Sequence, residues 1–285
     1  MVNKRSSIKN PPVIALLTDF SWHNWYLGVM KGVILGINPE VRIADLCHDV
    51  SSQDVREGSF ILGNSFEYFP EGTIFLCVVD PGVGGERKNI IVETDKYLFV
   101  GPNNGIFSSI FEKGVVRKVY AVTQGRYTLP MRGSTFFGRD VFAPVATHLS
   151  LGVKPSEIGE EMDSVLNVPA LKPFVNRDGE VSGRAVYVDT FGNIITNITE
   201  DFIVETFGGG VDWEKLSIKA GSRSTKGIKR YYEQGKVGRL MALIDSWGYL
   251  ELAVNRGSAY DLLGLTEKKS LEIFVRAGYP VEAGG

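Results

Sequence analysis

Apolar positions along the chain switch between continuous short runs and a three-to-four-residue spacing, and each switch marks an element. Val13-Ile14-Ala15-Leu16-Leu17 is an apolar run of strand length that ends on Thr18-Asp19. Helical spacing over 26–37 predicts a helix. Gly28 and Gly32 inside it predict close packing onto a neighbour, because each glycine costs about 1 kcal/mol of helix propensity. Asn38-Pro39 ends this helix, since the residue before proline avoids the helical region. A second strand is expected over 41–46. A helix follows over 52–69, capped by Ser52 or Asp54 and stopped by Phe69-Pro70-Glu71-Gly72. Strands are expected over 73–79, 89–94 and 97–100, and helices over 106–112 and 142–150. This alternation implies a mainly parallel sheet covered by helices on both faces.

The pattern changes after about residue 170. Short strands over 182–189, 216–220, 239–244 and 250–253 are separated by glycine-rich turns, with little helical periodicity. A smaller all-β domain, barrel or sandwich, is the expectation. The chain then divides into an α/β domain over 12–170 and a β domain over 171–285, connected through 169–179.

Composition narrows the class without identifying it. The 285 residues are 44% hydrophobic and 22% charged, ordinary for a globular protein, and the net charge of -2 gives no reason to expect a polyanion partner. Lys215, Lys219, Arg223, Lys226, Lys229, Arg230, Lys236 and Arg239 face only Glu233 as an acid over that stretch. Solvated strand faces explain such a stretch better than nucleic-acid binding does. Cys47 and Cys77 are too few for a disulfide framework and are expected to be reduced, buried thiols. The polar, basic first twelve residues lack a signal-peptide pattern, and no apolar stretch reaches the roughly 18 residues of a spanning helix. A soluble cytoplasmic protein is the expectation.

Several chemistries are disfavoured. Gly82-Val83-Gly84 lacks the third glycine of a dinucleotide fingerprint, and no P-loop lysine motif or Gly-x-Ser-x-Gly elbow occurs. His23, His48 and His148 have no spacing suited to zinc, so no metal is expected. His148 reads as a structural histidine in an apolar helix, and His48, beside Asp49, as an orienter of its loop.

The richest segment is Val78-Val79-Asp80-Pro81-Gly82-Val83-Gly84-Gly85-Glu86-Arg87, where an apolar run delivers a carboxylate to a glycine-dense turn followed by an arginine. Open α/β sheets bind ligands beyond the carboxyl ends of such strands. Glycine there lets backbone approach a ligand closely. Four further polar segments fall at element ends: Thr18-Asp19-Phe20-Ser21, Asn103-Asn104-Gly105, Ser134 to Asp140, and Asp189-Thr190-Phe191-Gly192-Asn193. Singly each reads as an ordinary turn, with Asp19 as a helix cap and Arg139-Asp140 as a local ion pair. Together they offer carboxylates for sugar hydroxyls, amides for a heterocycle and aromatic rings for stacking, the equipment of a nucleoside pocket.

Five motifs carry a family resemblance. Thr18-Asp19-Phe20, Asp80-Pro81-Gly82-Val83-Gly84, Gly101-Pro102-Asn103-Asn104-Gly105, Gly138-Arg139-Asp140-Val141-Phe142-Ala143-Pro144 and Phe191-Gly192-Asn193-Ile194-Ile195-Thr196-Asn197 occur in order, in a match running from about Val13 to Ala277. In this the chain resembles the S-adenosylmethionine hydroxide adenosyltransferases, relatives of the fluorinases and chlorinases. The resemblance implies an α/β domain joined to a smaller β-barrel. It also implies a homotrimer whose sites lie between the large domain of one subunit and the small domain of the next, with S-adenosylmethionine hydrolysed to adenosine and L-methionine and no cofactor. By the same resemblance Asp80 and Arg87 hold the attacking water, and Asp19 clamps the ribose hydroxyls. Asn104 is a further substrate-binding candidate. Asp189 and Ser246 hold the methionine end, while Phe191, Asn193 and Tyr231, or its neighbour Tyr232, form the adenine pocket.

One position departs from the pattern. The family's hydrolases carry histidine where this chain has Phe137, and phenylalanine neither gives nor accepts a proton. Two readings stay open, a hydrolase that is slowed or compensated, with His23 as candidate compensator, and a non-catalytic protein that binds the same nucleoside. A halogenase is disfavoured, because Asp80 would repel a halide and Gly138 replaces a hydrogen-bonding serine. In the first loop Ser21-Trp22-His23-Asn24-Trp25 stands where the family commonly has Gly and Asp.

Overall fold

The computed structural model describes residues 11–266 and 271–277. They form two compact units, divided between Ala170 and Leu171. The first is built on β1 (Val13–Thr18), β2 (Arg42–Cys47), β3 (Ile74–Val78), β4 (Asn89–Thr94), β5 (Leu98–Pro102), β6 (Val116–Val122) and β7 (Gly159–Glu161). Their order in the seven-stranded sheet is β2-β1-β3-β5-β4-β6-β7. The strands β2, β1, β3 and β5 run parallel, and β4, β6 and β7 extend the sheet antiparallel.

Alternate residues of each strand serve opposite faces. Ile14, Leu16, Leu76 and Val78 pack with Met30 and Ile34 of α1 (Trp25–Ile37) and with Val145 and Leu149 of α4 (Ala143–Ser150). Ala15, Leu17, Phe75 and Val79 pack instead with Leu62 of α2 (Val55–Ser65) and Ile110 of α3 (Ser108–Glu112). Burying such a side chain contributes about 1.5–3 kcal/mol, so both faces hold the sheet in place. A short helix α5 (Pro155–Ile158) leads into β7.

The glycine expectation for α1 fails. A Cβ on Gly28 or Gly32 would meet nothing within 4 Å, and the buried positions of the helix are Leu27, Met30 and Ile34. Close packing belongs to α2, where a Cβ on Gly58 would strike Ile106 at 2.6 Å. The cap of α2 is Asp54, whose carboxylate accepts the Glu57 N–H at 3.0 Å. Glu57 is itself buried, its Oε1 accepting the Ser51 N–H at 3.1 Å while Oε2 has no protein partner.

The second unit holds β8 (Phe174–Val175), β9 (Val181–Val188), β10 (Ile194–Thr199), β11 (Ser217–Ala220), β12 (Arg223–Lys226), β13 (Ile228–Lys229), β14 (Leu240–Ile244), β15 (Tyr249–Val254) and β16 (Glu272–Arg276). Their order is β12-β11-β16-β9-β10-β15-β14-β13, with β8 flanking β9. The two outermost strands, β12 and β13, are consecutive in sequence and joined at Gly227, whose φ of +75° suits glycine. The sheet therefore curls back on itself as a nearly closed barrel around Val181, Ile194, Ile198, Ile218, Leu252 and Ile273. Two short helices that the strand pattern did not announce, α6 (Glu200–Phe207) and α7 (Ala259–Leu262), accompany it. The Thr199 hydroxyl caps α6 by accepting the Phe202 N–H at 3.2 Å. Part of the basic stretch lies on β11 and β12, where Lys219, Arg223 and Lys226 are exposed and Ile218 and Ala220 point inward. No helix among the described residues is long and apolar enough to cross a membrane.

Candidate active site

Strand order fixes where the α/β unit presents its polar loops. From β1 the chain crosses to β2 on one side and returns to β3 on the other, so the carboxyl ends of β1 and β3 flank a topological switch point. Crevices form at such points because the two connections leave in opposite directions. Asp19 follows β1, Asp80 follows β3, and Asn104 follows β5 on the next parallel strand.

Two successive turns bring Arg87 back onto Asp80. The Val83 N–H donates to the Asp80 carbonyl at 3.2 Å and the Gly85 N–H to the Gly82 carbonyl at 3.0 Å. A Cβ on Gly84, at φ +80°, would run into the Ser134 carbonyl, so only glycine fits. Arg87 Nε donates to Asp80 Oδ1 at 2.6 Å, and Nη2 donates to Oδ2. Nη1 donates to Asn89 Oδ1 at 2.5 Å. The arginine and aspartate side chains are 11% and 5% exposed, so this bidentate pair is shielded from the solvent that weakens surface ion pairs.

Phe137 lies against that pair. Its ring centroid is 5.4 Å from Arg87 Cζ, and that of Phe142 is 5.6 Å. The ring thus meets the guanidinium as a cation–π partner, where an imidazole would offer a proton-transfer group. Phe137 immediately precedes, and Phe142 ends, a turn with i→i+5 geometry over Gly138–Phe142, in which the Ala143 N–H donates to the Gly138 carbonyl. Such turns are frequent at functional sites. Gly138 packs closely, since a Cβ would press on Met30 Sδ at 2.9 Å and on the Phe136 ring at 3.1 Å. Arg139 and Asp140 form a local pair at 2.7 and 2.8 Å.

Asp19 caps no helix. Its Oδ2 accepts the Gln53 N–H at 2.8 Å, and the cap of α1 is Asn24. Burial pushes the Asp19 carboxyl above the usual range, the Gln53 N–H opposes this, and the Asp80 charge adds to it. The loop is held by His48, which the sequence offered as an orienter of this loop. His48 bonds Asp45, at 2.8 Å through Nε2, while its Nδ1 meets Thr18 Oγ1 at 2.9 Å and its carbonyl accepts the Ser21 N–H at 2.7 Å. Burial would raise the Asp45 carboxyl, but hydrogen bonds from Lys31 and His48 outweigh it and hold it low. His23 is exposed in the same loop, and His148 packs edge-on against Tyr127 with burial lowering its pKa. Asn104 braces the site, its amide donating to the Val79 carbonyl at 2.8 Å and its Oδ1 accepting the Ile106 N–H at 3.2 Å.

The barrel unit carries its candidates on two turns of the same design. Asp189 Oδ1 accepts the Phe191 and Asn193 N–H groups at 2.9 and 2.8 Å, and Oδ2 accepts Asn193 Nδ2 at 2.9 Å. Asp245 Oδ1 accepts the Trp247 and Tyr249 N–H groups at 2.8 and 2.9 Å. Each turn has a positive-φ glycine, Gly192 or Gly248, after its aromatic residue. Phe191 is 76% exposed and Trp247 57%. Ser246 sits between Asp245 and Trp247. The Asp-x-aromatic-Gly spacing was visible in the sequence at both places, yet only the first was singled out. Tyr231 is 55% exposed, whereas the Tyr232 hydroxyl donates to Glu251 Oε1 at 2.9 Å. Glu251 is buried on β15, and burial together with the charges of Asp189 and Asp245 pushes its carboxyl up to about 7 against the Tyr232 bond. Sequence reasoning missed Glu251 because nothing in its local pattern marks it as buried.

Among the described residues no cluster of three or more His, Cys, Asp or Glu side chains is arranged to hold a metal. Cys47 and Cys77 are both free, Cys77 fully buried and Cys47 only partly.

An α/β unit with a preformed acid–arginine pair at its switch point, followed by a β-barrel unit with exposed aromatic turns, defines a two-domain small-molecule enzyme architecture. Residues 14–159 match the SAM hydroxide adenosyltransferase N-terminal domain and residues 183–272 the C-terminal domain of the same family. The chain belongs to the SAM hydroxide adenosyltransferase family. It is 32% identical over 273 residues to an (R)-S-adenosyl-L-methionine hydrolase of Methanocaldococcus jannaschii, covering 92% of this chain and 95% of that protein. A Thermus thermophilus protein of the same name is 34% identical over 261 residues, covering 89% and 96%. A fluorinase of Nocardia brasiliensis is a more distant relative, 24% identical over 284 residues, covering 87% and 91%. A crystal structure of an uncharacterized conserved protein from Thermotoga maritima superposes with a TM-score of 0.83 at 35% identity, covering 92% of this chain and 99% of that one.

Proposed function

We propose that this protein hydrolyses S-adenosylmethionine to adenosine and L-methionine, as a cytoplasmic enzyme without a cofactor. The observation that carries this reading is the buried Asp80–Arg87 pair, preformed at the switch point of a fold shared along nearly its whole length with proteins named for that reaction. Water attacks the ribose C5′ in line with the sulfonium. The O–C5′ bond forms while the C5′–S bond breaks, its electron pair goes to sulfur, and one water proton passes to Asp80 or to solvent. The sulfonium already activates the carbon, so the protein supplies position and a partly desolvated nucleophile rather than a separate electrophile. Arg87 favours hydroxide character in the water, and Asp80 orients it.

Asp19 takes the ribose hydroxyls, with Asn104 bracing the neighbouring loop. Phe191, Asn193 and Tyr231 take the adenine, and Asp189 and Ser246 the methionine end. The exposure of Phe191, Tyr231 and Ser246 on the barrel unit supports a homotrimer in which the barrel of one subunit completes the α/β site of the next. Light scattering at micromolar concentration is expected to give three times the mass of the chain.

Phe137 lowers the rate, since it leaves the Asp80–Arg87 pair without a proton-transfer neighbour. Incubation with S-adenosylmethionine, followed by chromatography, is expected to yield more than one adenosine per chain. A nucleoside that co-purifies with no adenosine released would instead establish the binding-protein reading. Phe137→His is expected to raise the turnover rate about tenfold, within the range of a general acid–base group.

A further inference from the structure

The guanidinium of Arg87 is held on more sides than the acid–arginine pair requires. Nε and one N–H of Nη2 go to Asp80, and one N–H of Nη1 goes to Asn89 Oδ1 at 2.5 Å. The second N–H of Nη1 is directed at the Lys88 carbonyl at 3.4 Å, while the rings of Phe137 and Phe142 lie against the group. A guanidinium has five N–H donors in a fixed plane. Only the second N–H of Nη2 is left without an acceptor among the described residues.

Asn89 is the first residue of β4 and is 8% exposed. Its backbone position is fixed by the ladder to Pro102 on β5, and the neighbouring Lys88 carbonyl accepts the Asn103 N–H at 2.9 Å. The amide oxygen is therefore mounted on the rigid sheet, whereas Asp80 and Arg87 both belong to a loop built of turns. An Asp–Arg fork alone fixes the guanidinium to the carboxylate but lets the pair swing as a unit. A third bond, from the opposite edge of the guanidinium to a strand, removes that motion.

We propose that Asn89 is a positioning residue that anchors Arg87 to β4, so that a single Nη2 N–H is presented to the attacking water. The inference rests on the hydrolase reading for its consequence in turnover, but the anchoring is a property of the free protein. A misplacement of about 1 Å in a positioned group costs on the order of 100-fold in rate.

The test pairs Asn89→Leu, which keeps the bulk and removes the acceptor, with Asn89→Asp, which keeps an acceptor oxygen. Two measurements are made on each, hydrogen exchange of the Arg87 Nε–H by nitrogen-15 NMR and steady-state hydrolysis of S-adenosylmethionine. The leucine variant is expected to exchange its Arg87 Nε–H at least tenfold faster than the parent. Its kcat should fall about 10- to 100-fold with KM unchanged, while Asn89→Asp retains slow exchange and stays within about threefold of the parent kcat. A purely structural role for Asn89 would affect the two variants alike and would not single out the Arg87 signal. Unchanged exchange in Asn89→Leu overturns the anchoring whatever the activity. Faster exchange with an unchanged kcat overturns its role in turnover. If the parent itself releases no adenosine, the hydrolase reading falls, and the exchange measurement alone decides whether Asn89 anchors Arg87.

Discussion

In the α/β unit, Asp80 and Arg87 are buried against each other and against Phe137, with most of their bonding capacity already used inside the protein. In the barrel unit, Phe191, Tyr231 and Trp247 stand in solvent on turns whose backbones are firmly tied. The difference separates two kinds of preparation. A group that must stabilise charge gains from being fixed and dry before the substrate arrives, since its alignment then costs nothing during the reaction. A ring that stacks on a ligand needs an open face, so the scaffold holds its backbone and leaves its surface uncovered. On the proposed roles, the chemistry falls to the α/β unit and the aromatic part of recognition to the barrel unit, and substitutions in each should fail in different ways.

The sharpest break in this comparison is Asp80→Ala. Removing the carboxylate leaves Arg87 without its bidentate partner and, on the proposed mechanism, the water without its orienting group. Adenosine release is expected to fall by about a thousandfold, within the span of a general acid–base group. Turnover unchanged in that variant would falsify the mechanism even if adenosine remained the product. Phe191→Ala acts on the other side. A stacked base contributes about 1–3 kcal/mol, so KM should rise about tenfold with kcat within twofold of the parent. A fall in kcat as large as that in Asp80→Ala, at unchanged KM, would show that recognition and chemistry are not divided as proposed.

The smallest expected effect concerns Glu251, the exception to the barrel unit's openness. Its carboxyl sits at about 7 in the folded chain, above the 4.5 of a free glutamate. Between those values the folded state holds a proton that the unfolded chain releases, so stability falls as pH rises through the window. Above about pH 7 the loss is complete. Glu251→Gln removes the effect and keeps an acceptor for Tyr232. Its melting temperature relative to the parent should therefore be about 6 °C higher at pH 8 than at pH 5, a shift corresponding to about 2–3 kcal/mol. Parallel melting curves across that range would remove Glu251 from consideration as a proton-holding group.

Much of the α/β layering was legible because β1 and β3 are uninterrupted apolar runs and α1 buries a single apolar stripe. The misreadings have local causes. Gly28 and Gly32 imitate a packing motif, but Leu27, Met30 and Ile34 place the buried stripe elsewhere on α1. The role of His48 as an orienter of its loop was legible, whereas its bond to Asp45 depends on the strand geometry of β2. Helix α6 escaped notice because eight residues hold too few turns to show a period, although its Thr199 cap was readable. Asn89 and Glu251 gave no signal, since one opens a strand and the other lies inside one. Their significance depends on what the sheet brings opposite them.

By itself the sequence determined which residues are available for chemistry. An apolar run ending in Asp80, glycines that permit tight turns and an arginine seven positions on specify a carboxylate–guanidinium pair through local chain geometry alone. Only the tertiary structure decided where that pair stands and what surrounds it. The crossing of the chain from β2 over β1 to β3 creates the switch point that sets Asp19 and Asp80 on neighbouring strand ends. The antiparallel pairing of β4 with β5 ties Asn89, two residues on from Arg87, to Pro102, and the i→i+5 turn that follows Phe137 sets its ring against Arg87. Strand order and register couple residues tens of positions apart, and local patterning carries no information about which of them will meet.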